Sequence, residues 1–192
     1  MQKPFDHPDF IFELKHDGFR AITYIQNGEC KLISRNLNNL LFNSLKRALA
    51  KLPVQNAIMD GEIVCLDGYA ISQFKQLFNR KTEPVLYAFD LLWLDGEDHR
   101  QYLLIVRKER LSDLIRSSNC PRIVYAQHIE QYGKQLFAEI CDRDLEGIVA
   151  KRRLSIYKDN GTGWLKIKNR SYSQAEGRHE TAGAGEVGSV ND

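Results

Sequence analysis

The sequence predicts an α+β domain with a substantial antiparallel sheet. Its 192 residues fit one domain, and 43% of them are hydrophobic, which is enough for an apolar core. Runs with the period of strands and runs with the period of helices follow one another outside a strict βαβ rhythm. An Asn27-Gly28 pair between two apolar runs is the strongest short signal for a β-hairpin. The composition excludes a fully disordered or collagen-like chain.

The first part of the chain is predicted to form a hairpin and then a helix. Residues 10–14 and 20–25 have the pattern of short strands, and residues 30–34 are expected to pair with 20–25 across the Asn-Gly turn. A helix packed on this sheet is predicted next, because five leucines share one helical face before Pro53. These are Leu37, Leu41, Leu45, Leu49 and Leu52.

The remaining elements alternate again between strands and helices. Strands are predicted over 57–66, 85–94, 122–129, 146–152 and 164–168, and helices over 71–79, 106–116 and 133–141. Turns are expected at Asp67-Gly68 and Asp95-Gly96. Residues 176–192 lack aromatic and large aliphatic side chains, so we expect a disordered tail after a domain that spans 1–175.

Charge and cysteine usage narrow the class of protein further. The 27 Lys and Arg against 25 Asp and Glu give a net charge of +2, so nucleic-acid binding would depend on local clusters of positive charge. The four cysteines match neither a zinc-ligand spacing nor a dense disulfide framework, and we expect reduced, mostly buried thiols. No run approaches the roughly 18 apolar residues of a membrane span. We therefore expect a cytoplasmic protein without a membrane partner, associated with the nucleoid if it is bacterial.

Charged residues at strand ends carry the functional signal. Lys15 follows an apolar strand and precedes a glycine loop; taken alone it would be a solvated strand-end charge. Lys166 and Lys168 are two positions apart in a predicted strand, so both lie on the same face of it. Two like charges on one face favour a bound anion. Glu62 and Glu146 offer the hard oxygen ligands that Mg²⁺ prefers. Together the amine, the cations and the carboxylates predict a site for nucleotide phosphates.

Six segments, in order, resemble the motifs of the covalent nucleotidyltransferases, which comprise ATP-dependent DNA ligases, RNA ligases and mRNA capping enzymes. The segments are ELKHDGFR, SRN, DGEIV, YAFDLLWLDG, EGIVAK and WLKIK. The resemblance covers about residues 5–175, and the amino-acid sequences of the motifs are most similar to those of the ligase domain of bacterial DNA ligase D. It implies a nucleotidyltransferase (ATP-grasp-like) adenylation domain with antiparallel sheets flanked by helices.

The resemblance also implies how ATP is used. Lys15 would attack the α-phosphate of ATP to form a lysyl-AMP with loss of pyrophosphate. Glu13 would contact the adenine amino group, Arg20 and Glu62 would hold the ribose hydroxyls, and Phe89 would stack on adenine. AMP would then pass to the 5′-phosphate of nicked double-stranded DNA, for strand joining.

The remaining motif residues are implied to bind metal, phosphate and DNA. Glu146, together with Glu62, would bind Mg²⁺ or Mn²⁺. The phosphates would be contacted by Lys151, Lys166 and Lys168, and Arg35 would receive the 5′-phosphate of the nick. Asp17 and Asp60 are given supporting roles, whereas His16, His99 and His128 are expected to be structural or exposed.

Ligases and capping enzymes normally carry an OB-fold after this domain, and we expect none within this chain. We therefore expect limited sealing activity and an OB-fold or repair partner that acts in trans. The protein itself is expected to be a monomer. Two alternatives stay open. One is an enzyme for RNA ends or a guanylyltransferase, although Glu13 weakens the GTP hypothesis; the other is a non-catalytic module that binds nicks or ATP.

Overall fold

The computed structural model describes residues 2–66, 77, 83–158 and 163–174. These residues form ten strands and three helices in two sheets. The strands are β1 (His7–Leu14), β2 (Phe19–Gln26), β3 (Glu29–Ser34), β4 (Asn56–Val64), β5 (Val85–Leu94), β6 (Glu97–Asp98), β7 (Ile123–Tyr125), β8 (His128–Gln131), β9 (Gly147–Arg152) and β10 (Leu165–Lys168). The helices are α1 (Asn43–Leu49), α2 (Leu104–Ser118) and α3 (Gly133–Asp142).

The larger sheet has the strand order β3-β2-β4-β5-β6, and β7 pairs in parallel with β5. All other strand pairs in the described residues are antiparallel, which confirms the predicted α+β class. Asn27 and Gly28 join β2 to β3 with φ angles of 51° and 77°, as the hairpin prediction requires. Leucines of α1 and α2 cover the apolar face of this sheet. No helix in the described part of the chain is long and apolar enough to cross a membrane.

The smaller sheet has the order β10-β9-β1-β8 and two chemically different faces. Phe10, Phe12 and Ile148 lie on one face and pack with Ile140 of α3 in a second apolar core. Because side chains alternate along a strand, Glu13 of β1, Lys151 of β9, and Lys166 and Lys168 of β10 lie on the opposite face. That face turns toward the larger sheet, and a cavity lies between the two sheets.

The predicted helix over 37–52 is wrong in its first half, since α1 begins only at Asn43. Leu37 and Leu41 are 84% and 60% exposed and do not belong to an apolar helix face. A turn replaces the helix there: the Ser34 N–H donates to the Asn38 carbonyl, and Leu37 has a φ of 62°. Asparagines favour turns over helix interiors, which outweighs the leucine spacing.

The predicted strand over 122–129 is two strands that belong to different sheets. β7 pairs with β5 of the larger sheet, whereas β8 pairs with β1 of the smaller one. Ala126 lies between them, and its N–H donates to the Ala88 carbonyl where the chain leaves the larger sheet. An uninterrupted apolar pattern does not show where a strand changes its partner, so the passage of the chain from one sheet to the other could not be predicted from the sequence.

The other predicted elements agree with the structure to within a few residues. The predicted strand over 57–66 corresponds to β4, and the predicted helices over 106–116 and 133–141 correspond to α2 and α3. Cys65 is buried, and the other three thiols are partly exposed; all four are free. The predicted turn at Asp67-Gly68, the tail over 176–192 and, apart from the buried Leu77, the helix over 71–79 lie outside the described residues.

Candidate functional site

A cavity of about 240 Å³ opens between the two sheets and gathers most of the predicted site residues. The residues that line it are Glu13, Leu14, Lys15, His16, Gly18, Arg20, Arg35, Glu62, Phe89, Val149, Lys151, Trp164 and Lys166. Glu146 is joined to this set through Lys15, whereas Lys168 lies outside the lining formed by the described residues. Residues far apart in the chain therefore meet in one concave site, as ligand sites usually require.

The Lys15 amine is held at the cavity wall by an ion pair. Lys15 directly follows β1, and its backbone N–H donates to the Gly147 carbonyl over 2.9 Å. Its Nζ donates to Glu146 Oε2 over 2.6 Å, and the two side chains are only 16% and 4% exposed. The amine is thus fixed between the end of β1 and the start of β9, which is a suitable position for a nucleophile.

Two motif glycines allow this close packing. A Cβ on Gly147 would lie 2.2 Å from the Ile167 carbonyl oxygen, and its φ of +142° is unfavourable for other residues. A Cβ on Gly18 would lie 2.1 Å from the Ile63 carbonyl oxygen of β4. Glycine at Gly18 lets the loop after Lys15 rest directly on the larger sheet.

Two carboxylates share the region around the amine. Burial raises the pKa of Glu62 to about 7; the Lys15 charge opposes this rise and the Glu146 charge adds to it. A cation bound beside Glu62 and Glu146 would relieve that repulsion. In the described ranges no group of three or more His, Cys, Asp or Glu side chains could hold a metal ion. Mg²⁺ commonly uses one or two carboxylates together with substrate phosphates, so this donor set fits Mg²⁺.

Arg20 is oriented by a buried carboxylate. Its Nε and Nη2 donate to the two Asp60 oxygens over 3.0 and 2.6 Å, and the Tyr157 hydroxyl donates to Asp60 over 3.0 Å. Glu62 lies opposite Arg20 in the register of β2 and β4. Asp60 and Tyr157 therefore keep the guanidinium beside Glu62. No pattern in the sequence indicates the contribution of Tyr157.

Phe89 and Trp164 form the aromatic wall of the cavity. Their ring centroids are 5.4 Å apart at an interplanar angle of 86°. Phe89 occupies a β-bulge, since Asp60 and Gly61 of β4 pair with Asp90 and Ala88 of β5 and leave Phe89 without an opposite residue. The prediction named Phe89 and missed Trp164, although alternation places Trp164 on the same strand face as Lys166.

Glu13 is buried between two lysines. Its Oε1 accepts a hydrogen bond from Lys108 Nζ over 2.6 Å, and its Oε2 lies 2.7 Å from Lys151 Nζ. The same Lys151 Nζ lies 4.4 and 3.9 Å from the ring centroids of Phe89 and Trp164. Lys108 was not predicted, yet one signal was available: it lies at helical spacing between Leu104 and Leu111, on the apolar face of α2.

Positive charge surrounds the open side of the cavity. Burial lowers the pKa of the Lys166 amine, and the charges of Lys15, Arg20 and Arg35 lower it further. Arg35 is exposed just after β3, at the cavity rim. Such a group of cations is suited to charge-assisted hydrogen bonds with phosphate oxygens.

His16 is part of the cavity wall. The sequence alone predicts a structural or exposed residue and does not place it at the site. Its ring packs against Tyr87 with the centroids 3.9 Å apart, and burial lowers its pKa to about 4. The imidazole is therefore neutral at pH 7. Its neighbour Asp17 is buried as well and accepts a hydrogen bond from the Tyr172 hydroxyl, which ties the loop after Lys15 to the segment after β10.

Comparison of the sequence with known proteins identifies relatives over most of the chain. Residues 1–168 match the family model of the ATP dependent DNA ligase domain. The chain is 32% identical over 168 residues to the multifunctional non-homologous end joining protein LigD of Pseudomonas aeruginosa. This alignment covers 83% of this chain and 20% of that protein. It is 30% identical over 184 residues to a DNA ligase of Pyrobaculum neutrophilum, which covers 86% of this chain and 32% of that ligase.

Solved structures show the same relationship in three dimensions. A mycobacterial DNA ligase D complexed with ATP and MES superposes with a TM-score of 0.77 at 29% identity, over 86% of this chain and 56% of that one. The ligase domain of LigD from M. tuberculosis gives 0.76 at 30% identity, over 85% and 56%. The chain thus spans between a fifth and a third of the curated relatives described above and about half of these structures.

Proposed function

Because this chain belongs to the ATP dependent DNA ligase domain family, we propose that it transfers AMP from ATP, through Lys15, to the 5′-phosphate of nicked double-stranded DNA. Its α+β nucleotidyltransferase fold is the fold of its structural relatives. One observation carries the proposal: the Lys15 amine projects into a cavity that has aromatic rings on one part of its wall and cations on another. This arrangement suits a lysine nucleophile beside a nucleoside triphosphate.

We propose that the two ends of ATP lie against the two different parts of the cavity wall. The base stacks at Phe89 and Trp164, since aromatic rings bind the π-face of a nucleobase. Glu13 lies beside these rings and accepts the hydrogen bond of the adenine amino group. Arg20 and Glu62, opposite each other on β2 and β4, are proposed to hold the ribose hydroxyls.

The triphosphate lies toward the cationic part of the wall. Lys166 points into the cavity and contacts the phosphates, while Lys168 adds positive charge farther along the same strand face. Lys151 is engaged with Glu13 in this structure, so a phosphate contact by Lys151 requires that ion pair to exchange. Charge-assisted hydrogen bonds from these lysines stabilise the negative charge that develops during transfer.

The first step forms a covalent intermediate on Lys15. The Lys15 nitrogen loses a proton and attacks the α-phosphorus; the new N–P bond forms while the P–O bond to pyrophosphate breaks, and pyrophosphate leaves. Glu62 and Glu146 are the residues that would hold Mg²⁺, for which Mn²⁺ is a substitute with the same oxygen preference. The metal ion, when bound, supplies neutralisation of phosphate charge.

The second step moves AMP from the protein to the nick. An oxygen of the DNA 5′-phosphate attacks the lysyl-AMP phosphorus, the N–P bond breaks, and Lys15 is regenerated. The 3′-hydroxyl across the nick then attacks the activated 5′-phosphate and releases AMP. Arg35, exposed at the cavity rim, is proposed to receive that phosphate. We propose that residues 1–175 act as a monomeric adenylation domain that works with a repair partner, at the nucleoid if the protein is bacterial.

A nicked duplex with a fluorophore on the strand that bears the 5′-phosphate tests this function. With ATP and Mg²⁺ the wild-type protein should yield adenylated strand and sealed strand on a denaturing gel, and Lys15→Ala should yield neither. Arg35→Ala should still adenylate itself but should modify the DNA poorly, whereas Lys31→Ala, which removes an exposed cation on β3, should behave as wild type. A matched RNA nick separates the RNA-end alternative. Product formation by Lys15→Ala at the wild-type rate would refute the proposal.

A further inference from the structure

We infer that Lys108 sets the nucleobase preference of this site, by holding Glu13 as an ionised hydrogen-bond acceptor. The inference deepens the proposed adenylation function and depends on it. Lys108 is a positioning residue, because it acts through Glu13 and does not line the cavity among the described residues.

The contacts of Lys108 make it the permanent partner of Glu13. Its Nζ donates to Glu13 Oε1 over 2.6 Å and to the Ala126 carbonyl over 2.9 Å, and it lies 4.5 Å from the centroid of the Tyr125 ring. The side chain is fully buried beneath the cavity wall. A ligand therefore cannot reach it without disrupting the packing of α2 against the sheet.

Lys151, the second partner of Glu13, is placed differently. It lines the cavity and its Nζ lies against the rings of Phe89 and Trp164, where a nucleobase would enter. A base that enters there competes with Lys151 for Glu13 Oε2. Lys108 remains on Oε1, so the carboxylate keeps one cation and one free acceptor oxygen when the nucleotide is bound.

The ionised state matters because it distinguishes the two purines. A carboxylate accepts hydrogen bonds and donates none, so it suits the amino group of adenine and repels the O6 carbonyl of guanine. A protonated carboxyl donates one hydrogen bond and would accommodate guanine. Burial would raise the pKa of Glu13, but the charges of Lys151 and Lys108 outweigh burial and keep its pKa below the usual value.

Removal of the Lys108 charge should therefore relax the choice between ATP and GTP. In Lys108→Met, the ratio of the initial rates of covalent adduct formation with ATP and with GTP should fall at least about tenfold, roughly the energy of one hydrogen bond to a charged group. Lys108→Arg, which keeps the charge, should retain the wild-type ratio. Arg110 is an exposed cation on the same helix. Arg110→Gln therefore serves as the matched control and should leave the ratio unchanged.

The experiment compares adduct formation by intact mass with ATP and GTP in separate reactions. Lys108→Gln, which retains a hydrogen-bond donor without the charge, replaces Lys108→Met if the latter fails to fold by circular dichroism. Equal losses with both nucleotides, or an unchanged ratio in a folded variant, would overturn the inference. If the wild type forms no adduct, the proposed function has failed instead; calorimetric affinities for ATP and GTP then test the same preference without catalysis.

Discussion

Replacing Arg107 with methionine tests the buried ion pair that anchors α2 to the larger sheet. Arg107 and Asp90 are 1% and 0% exposed, and the guanidinium donates to both Asp90 oxygens over 2.6 and 2.9 Å. Its Nη1 also donates to the carbonyls of Tyr102 and Ser155. One side chain thus joins the start of α2, β5 and the segment that carries Tyr157.

The expected loss of stability follows from what remains after the substitution. Methionine preserves most of the apolar volume, but the Asp90 carboxylate stays buried, the Tyr102 carbonyl loses the guanidinium donor, and the Ser155 carbonyl keeps only the Leu104 N–H. Breaking such a pair costs about 3–5 kcal/mol, a large part of the 5–15 kcal/mol typical of a domain. With an m-value of about 2 kcal/mol/M, the urea midpoint should fall by roughly 2 M.

Urea unfolding followed by circular dichroism measures this loss, and a second substitution isolates its cause. Asp90→Leu combined with Arg107→Met removes both charges, so the double variant should be more stable than Arg107→Met alone by at least about 1 kcal/mol. A loss of less than about 1 kcal/mol in Arg107→Met, or simple additivity of the two substitutions, would show that the buried ion pair does not anchor α2 in this way.

Three further outcomes are expected. Burial lowers the pKa of His16 from 6.5 to about 4, so the contribution of neutral His16 to stability is complete above pH 6.5 and is lost as the pH falls through 4. Between pH 7 and 4 the free energy of unfolding should therefore fall about 3 kcal/mol more in wild type than in His16→Asn. An equal fall in both proteins, measured by urea unfolding, would contradict this. Gly18→Ala should lower stability by about 1–3 kcal/mol, because the new Cβ meets the Ile63 carbonyl, and an unchanged melting temperature would show that the loop can move away. Lys166→Ala should slow adduct formation with ATP at least about tenfold and Lys168→Ala much less, because only the former lines the cavity; equal effects would contradict the site geometry.

The parts of the site that were predictable are those encoded in local pattern. Lys15 directly follows β1, Glu146 directly precedes β9 and Glu62 lies within β4, and the order and spacing of the sequence motifs were enough to predict all three as site residues. The Asn27-Gly28 hairpin was predictable for the same reason, since two residues determine the turn. Their individual roles toward ATP, metal and DNA stay predictions.

The parts that were not predictable depend on partners distant in sequence. Lys108 meets Glu13 across 95 positions and Tyr157 meets Asp60 across 97, distances at which residue periodicity carries no information. The split of the predicted strand over 122–129 has the same origin, because only the packed sheets decide which neighbour each half finds. The false helical turns at Leu37 show the converse, in which a local hydrogen-bonded turn overrides an apolar period.

Intact mass spectrometry shows whether Lys15 is the nucleophile that becomes covalently linked to AMP. The purified protein is incubated with ATP and Mg²⁺, and the adduct is located by peptide mapping; Lys31→Ala serves as a control for an exposed lysine. We expect one added AMP, located on Lys15, absent in Lys15→Ala and removed again by pyrophosphate. An unmodified wild-type protein that is folded and saturated with ATP, or an adduct that persists in Lys15→Ala, would contradict it.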